Sequence, residues 1–284
     1  MPTPKSYGES LQFFAEKRNR DIMLSIPSGY RGLRFRFSLW EPSRKFMFRK
    51  DYPRIYELRD LQPDGYFSDL DSKLQDSTSA KHLRFVEDAL MSLDSQSWGI
   101  FKAKIHRYLQ CPHKIRKWQQ LFDHLNEAKA YYRLKSRGCS NLALIPESDI
   151  KTPDILGKLA DKSLLCEVKS INISDSEADL RLYGQYLHSP PLQLNDAFFN
   201  KLRLTIKGAQ GKLEEYDPDN ACIHIAFIVL RFDDFWGENN DVYITQIDSY
   251  LSHISFEKTE LRFLVIRTPF DKCVPMKSAQ VDYE

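Results

Sequence analysis

Apolar and polar positions divide the chain into recognisable elements. Residues 5–24 show loose helical periodicity, with Leu11, Phe14, Ile22 and Leu24 among charges. After the turn-forming SIPSGYRG, residues 33–40 (LRFRFSLW) alternate strictly, which predicts a strand. Leu33, Phe35, Phe37 and Leu39 share one face, and Arg34, Arg36 and Ser38 the other. KFMFRKDYPRIYELR follows, rich in aromatics and cations. Residues 62–80 are polar and read as a loop or linker. Residues 81–110 read as helical, with a break near Ser97–Gly99.

Beyond Pro112 the pattern changes. From His113 to about Lys135, Ile115, Trp118, Phe122, Leu125 and Tyr132 recur at spacings suited to one long helix, which Gly138 ends. Short apolar runs at 141–146, 152–159 and 163–171 then predict three strands. A long loop covers 172–193 and a helix about 195–216. ACIHIAFIVL (221–230) is apolar throughout, as a strand buried on both faces must be. A helix over 241–255 and a strand over 261–268 complete the series. The fold class expected is α/β, with helices flanking a sheet.

Composition narrows the function classes. The chain has 284 residues, 42% of them hydrophobic and 28% charged, which suits a folded globular protein. No apolar run approaches the roughly 20 residues a spanning helix needs, so no membrane partner is expected. The first residues lack the apolar core of a secretory signal. Five scattered cysteines therefore read as reduced thiols, and the expected location is cytoplasmic. Net charge is only +2, but it is unevenly spread. Residues 1–110 hold 19 Lys and Arg against 14 Asp and Glu; residues 111–284 hold 22 against 25. That difference suggests two regions with different jobs, an N-terminal α+β region, 1–110, suited to substrate or partner recognition, and a second region, 111–284. Residues 29–54 combine eight Lys and Arg with seven aromatics, so Arg34 and Arg36 are candidates for nucleic-acid contact.

The informative chemistry is Glu127, then Pro153-Asp154, then Glu167-Val168-Lys169. Asp154 opens one strand, and twelve residues intervene before Glu167 on the next. Ala160-Asp161-Lys162 between them suits a hairpin turn. Alternation puts Leu165, Glu167 and Lys169 on one face, with Leu164, Cys166, Val168 and Ser170 on the other. Two acids and a lysine therefore meet at neighbouring strand ends. Mg²⁺ takes oxygen ligands, usually one or two carboxylates plus waters and substrate phosphate. Asp154, Glu167 and the Val168 carbonyl can supply such oxygens. Lys169 can orient an attacking water or offset charge on a phosphate. Glu127, on the preceding helix, can reach a metal directly or through water. Cys111, His113, His106 and His124 lack the second regular pair of structural zinc sites. No phosphate-binding glycine loop or nucleophile elbow is present.

These residues, in this order, resemble the PD-(D/E)xK nuclease superfamily. The resemblance spans about 113–230. It implies a restriction-endonuclease-like mixed sheet flanked by helices, with an α-β-β-β-α-β core. It implies metal-dependent hydrolysis of nucleic-acid phosphodiesters, DNA before RNA, in defence against foreign DNA or in repair. Asp154, Glu167, Val168 and Glu127 would hold Mg²⁺, with Mn²⁺ as a substitute, and Lys169 would be the catalytic cation. In such proteins the helix after the third strand often carries polar residues toward the site; Lys207 and Gln210 are the candidates for substrate contact here. Gln210 with Tyr216 is similar to the Gln/Tyr signature of the exonuclease-like branch, although the spacing differs. The resemblance also admits a homodimer or a larger nuclease complex. The alternatives are a non-cleaving nucleic-acid-binding or assembly module, and a subunit active only within such a complex.

Overall fold

The run at 221–230 becomes the central strand of a three-layer structure. A computed structural model describes residues 48–110, 118–148, 151–174, 176–177, 190–234, 238–254, 259–266 and 271–272. Its elements are α1 (Pro53–Leu61), α2 (Leu70–Lys73), α3 (Ser77–Ser92), α4 (Ser95–His106), α5 (Gln119–Ser136), β1 (Ser140–Leu144), β2 (Ile155–Leu159), β3 (Lys162–Ile171), α6 (Asp196–Tyr216), β4 (Ile223–Leu230), α7 (Asn240–Ser252), β5 (Thr259–Ile266) and β6 (Asp271–Lys272). The predicted helix at 5–24 and strand at 33–40 lie outside the described residues, with Arg34 and Arg36. So does most of the predicted loop at 172–193.

The six strands form one mixed sheet in sequence order. β1, β2 and β3 are antiparallel neighbours, β3, β4 and β5 are parallel, and β6 returns antiparallel to β5. The chain is therefore α/β with a mixed sheet flanked by helices. From α5 the order runs α-β-β-β-α-β, as expected.

Alternation along the strands divides the interior into two cores. Leu164, Cys166 and Val168 of β3 pack with Ile225, Phe227 and Val229 of β4 against the layer of α1 to α5. Ile171, Ala226, Ile228 and Leu230 face the other way, onto α6 and α7. β4 is thus covered on both faces, which is why its sequence shows no alternation. α6 contributes Leu202, Ile206, Ala209 and Leu213, a single stripe at helical spacing.

The N-terminal helices depart from expectation. Residues 62–80 are not a linker: Phe67, Leu70 and Leu74 are buried, α2 lies within the segment and α3 begins before its end. Their spacing of three and four is helical, but acids and serines surround it. The break in 81–110 falls at Leu93–Asp94 rather than near Ser97–Gly99. There the Asp94 carboxylate caps α4 by accepting from the Ser97 N–H at 2.7 Å, and burial of Trp98 and Phe101 holds the helix through Gly99. The boundary expected at 110 does not separate two cores either. By compactness the chain divides after Pro42, with 43–284 as one unit. Ile55, Leu90 and Phe101 share a core with Leu134, Ile155 and Phe227. Among the described residues no helix is long and apolar enough to cross a membrane.

α1 begins with Pro53 and has no side-chain cap of its own. Glu87, buried on α3, supplies one: its two carboxylate oxygens accept from the backbone N–H of Arg54 and of Ile55, each at 2.9 Å. Glu87→Ala leaves both donors unpaired, at about 1–3 kcal/mol each. Thermal denaturation should show a clear fall in Tm for Glu87→Ala and a smaller one for Glu87→Gln, which keeps one acceptor. Equal Tm values for Glu87→Ala and wild type would rule out this capping role.

Candidate active site

The site begins where β2 stops pairing. Ile155 opposite Cys166 is the outermost residue pair between β2 and β3, and the Asp154 N–H donates to the Cys166 carbonyl at 3.1 Å. Pro153 precedes it and has no N–H to continue the ladder. β3 runs on to Ile171, so the Val168 N–H faces an edge without a strand. The Asp154 carboxylate takes that donor, Oδ2 accepting from it at 2.7 Å. One side chain thus replaces a missing strand residue and is held rigidly by doing so. The Val168 carbonyl leaves β3 on the same edge as its N–H.

Glu167, the next residue inward, has no solvent exposure. A bare carboxylate there would be very costly. Two lysines offset that cost. Lys169, two residues along the same face, brings Nζ to 2.6 Å from Oε1. Lys212, from α6, brings Nζ to 2.8 Å from each oxygen, donating a hydrogen bond to Oε1. Oε2 meets that ammonium outside hydrogen-bonding angles and is left with no hydrogen-bond partner. The same ammonium lies 3.9 Å from Asp154 Oδ1. A single positive charge therefore stands between the two acids.

Glu127 comes from α5, on the other side of the cleft floor. Its Oε2 accepts from Lys104 at 3.0 Å and its Oε1 lies 2.7 Å from His124 Nδ1. These groups surround a cleft of about 470 Å³ that Asp154, Val168, Lys169, Lys212, Glu127, His124 and Lys104 line, together with Ser170, Lys151 and Thr152. Glu167 lies just beneath it, covered by the two lysines.

The charges perturb one another. Burial, then the negative charges of Glu167 and Glu127, push the Asp154 carboxyl up to about 8. Burial also works against ionised Glu127, but His124 and Lys104 outweigh it and hold Glu127 below the usual range. For Lys169, burial opposes the charge and Glu167 more than restores it, so the ammonium is held above its ordinary value. Cys166, on the opposite face, has its thiol pushed well up by burial. It serves packing, as its strand position suggested.

The predicted residues are brought together unevenly. Asp154, Glu167, Val168, Lys169 and Glu127 converge. Lys207 is exposed and Gln210 half-buried, and neither lines the cleft. The buried stripe of α6 explains this: at 100° per residue Gln210 flanks it by about 80° on one side, Lys212 by about 80° on the other, and Lys207 points away. Lys212 is the residue that sequence reasoning missed, and the stripe was the signal that could have found it. Lys104 carried no such signal, because it comes from the region expected to be separate. His124 was visible only as one member of an incomplete zinc pattern. Among the described residues no three His, Cys, Asp or Glu side chains are grouped to hold a metal ion by themselves.

Compared with protein-family models, with curated proteins and with solved structures, the chain matches none.

The raised Asp154 value has a signed consequence. An unfolded Asp ionises near 3.9, so the metal-free folded state binds an extra proton between about 4 and about 8. Stability from this group is full below the lower value and is lost as pH rises through the upper one. Asn at 154 keeps an acceptor for Val168 and has no proton to lose. With a chelator present, the Tm advantage of Asp154→Asn over wild type should widen from pH 5 to pH 9. A gap independent of pH would contradict the assigned perturbation.

Proposed function

We propose that the chain is a metal-dependent nuclease on a restriction-endonuclease-like fold, hydrolysing phosphodiester bonds, DNA favoured. One observation carries this reading: Asp154 and Glu167, on adjacent strands, enclose a site already occupied by a cation, with Lys169 beside it. The donor set suits Mg²⁺ or Mn²⁺. Asp154 Oδ1, Glu167 Oε2, which the Lys212 ammonium meets without a hydrogen bond, and the Val168 carbonyl are hard oxygens, and waters and substrate phosphate commonly complete such a shell. A divalent ion would take over the role the Lys212 ammonium now plays between the two acids. The bound ion would activate water and offset charge on the scissile phosphate.

The chain's own residues supply the rest. Asp154 is pinned by its bond to Val168, so one ligand is held in position. Lys169, charged and 39% exposed, can contact a phosphate oxygen as negative charge builds. Lys104, Lys151 and Lys212 add positive charge to the cleft. Glu127 is occupied by Lys104 and His124, which supports a role for it on the cleft wall rather than as a direct ligand.

A second reading is a non-cleaving nucleic-acid-binding or assembly module. The full burial of Glu167 between two lysines favours it, because that trio is also a self-sufficient structural ion cluster. Cleavage assays separate the two. Circular duplex, linear duplex, single-stranded DNA and RNA are each incubated with Mg²⁺ or Mn²⁺. Wild type should cut at least one. Asp154→Ala and Lys169→Ala should each lose activity by about 10²-fold or more, the usual cost of one electrostatic contact to the transition state. Calorimetric titration with Mn²⁺ should show binding that Asp154→Ala weakens. A wild type that neither cuts nor binds metal would leave the non-cleaving reading.

A further inference from the structure

His124 lines the same cleft as Asp154 and Lys169. It lies on α5, three residues before Glu127, with Nδ1 held at 2.7 Å by the Glu127 carboxylate. Its ring stacks on Tyr108, with centroids 5.0 Å apart and planes inclined by 29°. Glu127 is itself fixed by Lys104 at 3.0 Å. The imidazole is therefore held on one face and at one nitrogen. Neither contact uses Nε2, which has no hydrogen-bond partner among the described residues, and the residue lines the cleft. A carboxylate on Nδ1 fixes the ring's orientation. Tyr108 stacks on the ring, and Lys104, Asp123 and Glu127 line the cleft with it. The imidazole is carried by α5 and Asp154 by the strand edge, and both line that cleft.

We propose that His124 is a catalytic residue of the nuclease, donating a proton to the leaving oxygen, and that Glu127 is its positioning residue. The proposal rests on the nuclease reading. In-line displacement puts attacking and leaving oxygens on opposite sides of phosphorus. Water attacks from the side of Asp154 and Lys169. A new P–O bond forms, and the bond to the leaving oxygen breaks with its electron pair going to that oxygen. Nε2–H gives its proton there. The attacking water releases its proton to solvent, and the imidazole regains one from solvent. No net electron transfer or co-reactant is involved.

The test compares two substrates with Mg²⁺. One is an oligonucleotide, whose leaving alkoxide needs a proton. The other is a p-nitrophenyl phosphodiester of thymidine, whose leaving phenolate does not. On the oligonucleotide, His124→Ala and His124→Gln should lower kcat by roughly 10²–10⁴-fold with KM little changed. On the p-nitrophenyl ester the loss should nearly vanish. Added imidazole should restore part of the His124→Ala rate, but not that of His124→Gln, whose side chain fills the space. Glu127→Gln should lower kcat on the oligonucleotide alone. His124→Gln, close in size, keeps the test valid if His124→Ala melts early. Wild-type activity in both His124 variants would overturn the proposal. So would equal losses on both substrates without imidazole rescue, which would mark the ring as structural. If wild type shows no metal-dependent cleavage of either substrate, the nuclease reading falls and this role with it.

Discussion

The carboxylate of Glu167 is the constraint around which the rest is arranged. It sits in the middle strand region with no solvent exposure, where an unpaired charge would cost several kcal/mol even after relaxation. Lys169 alone cannot satisfy both oxygens, since it approaches only Oε1. α6 must therefore lie close enough to β3 for Lys212 to reach it, and the stripe from Leu202 to Leu213 sets that distance and rotation. The packing of α6 and the electrostatics of the site are one problem with one solution. A structural ion cluster and a cation-binding site would have the same requirements here.

β3 carries the division of labour. Its even-numbered residues, Leu164, Cys166 and Val168, join the core beneath α5. Its odd-numbered residues, Glu167 and Lys169, provide charge on the α6 side. β3 also outruns β2, and that mismatch creates the notch filled by Asp154. The acid is placed by a backbone hydrogen bond at 2.7 Å rather than by other side chains. Such a tether is short and rigid. It holds a carboxyl near two other negative charges, at the expense of its ionisation. Bringing acids together this closely is useful where a cation is to be shared, and similar perturbations mark functional sites in general.

The opposite wall depends on helices that the charge distribution alone would assign to another domain. Lys104 on α4 reaches Glu127 on α5, and Tyr108 supports His124. Removing these helices would expose the α5 face of the sheet and the cleft wall together. The N-terminal helices thus share the core of the sheet and part of the cleft wall rather than forming an appended unit.

Several features were legible in the amino-acid order because they are local. The period-2 alternation of β3, the continuous apolar run of β4, Gly138 after α5 and the hairpin at Ala160-Asp161 each follow from neighbours a few residues apart. So does the convergence of Asp154, Glu167 and Lys169, since a hairpin joins their strands. Other features needed the tertiary structure. Lys212 meets Glu167 across 45 positions, and Lys104 meets Glu127 across 23. Acidic residues hid the helical spacing of Phe67, Leu70 and Leu74, and only burial reveals it. Lys207 and Gln210 share a helix with Lys212, yet rotation about the helix axis turns them from the cleft. That rotation is set by which stripe of α6 the sheet buries. Local periodicity determines which residues share a face. Only packing decides what that face meets, because the partner surface is assembled from distant parts of the chain.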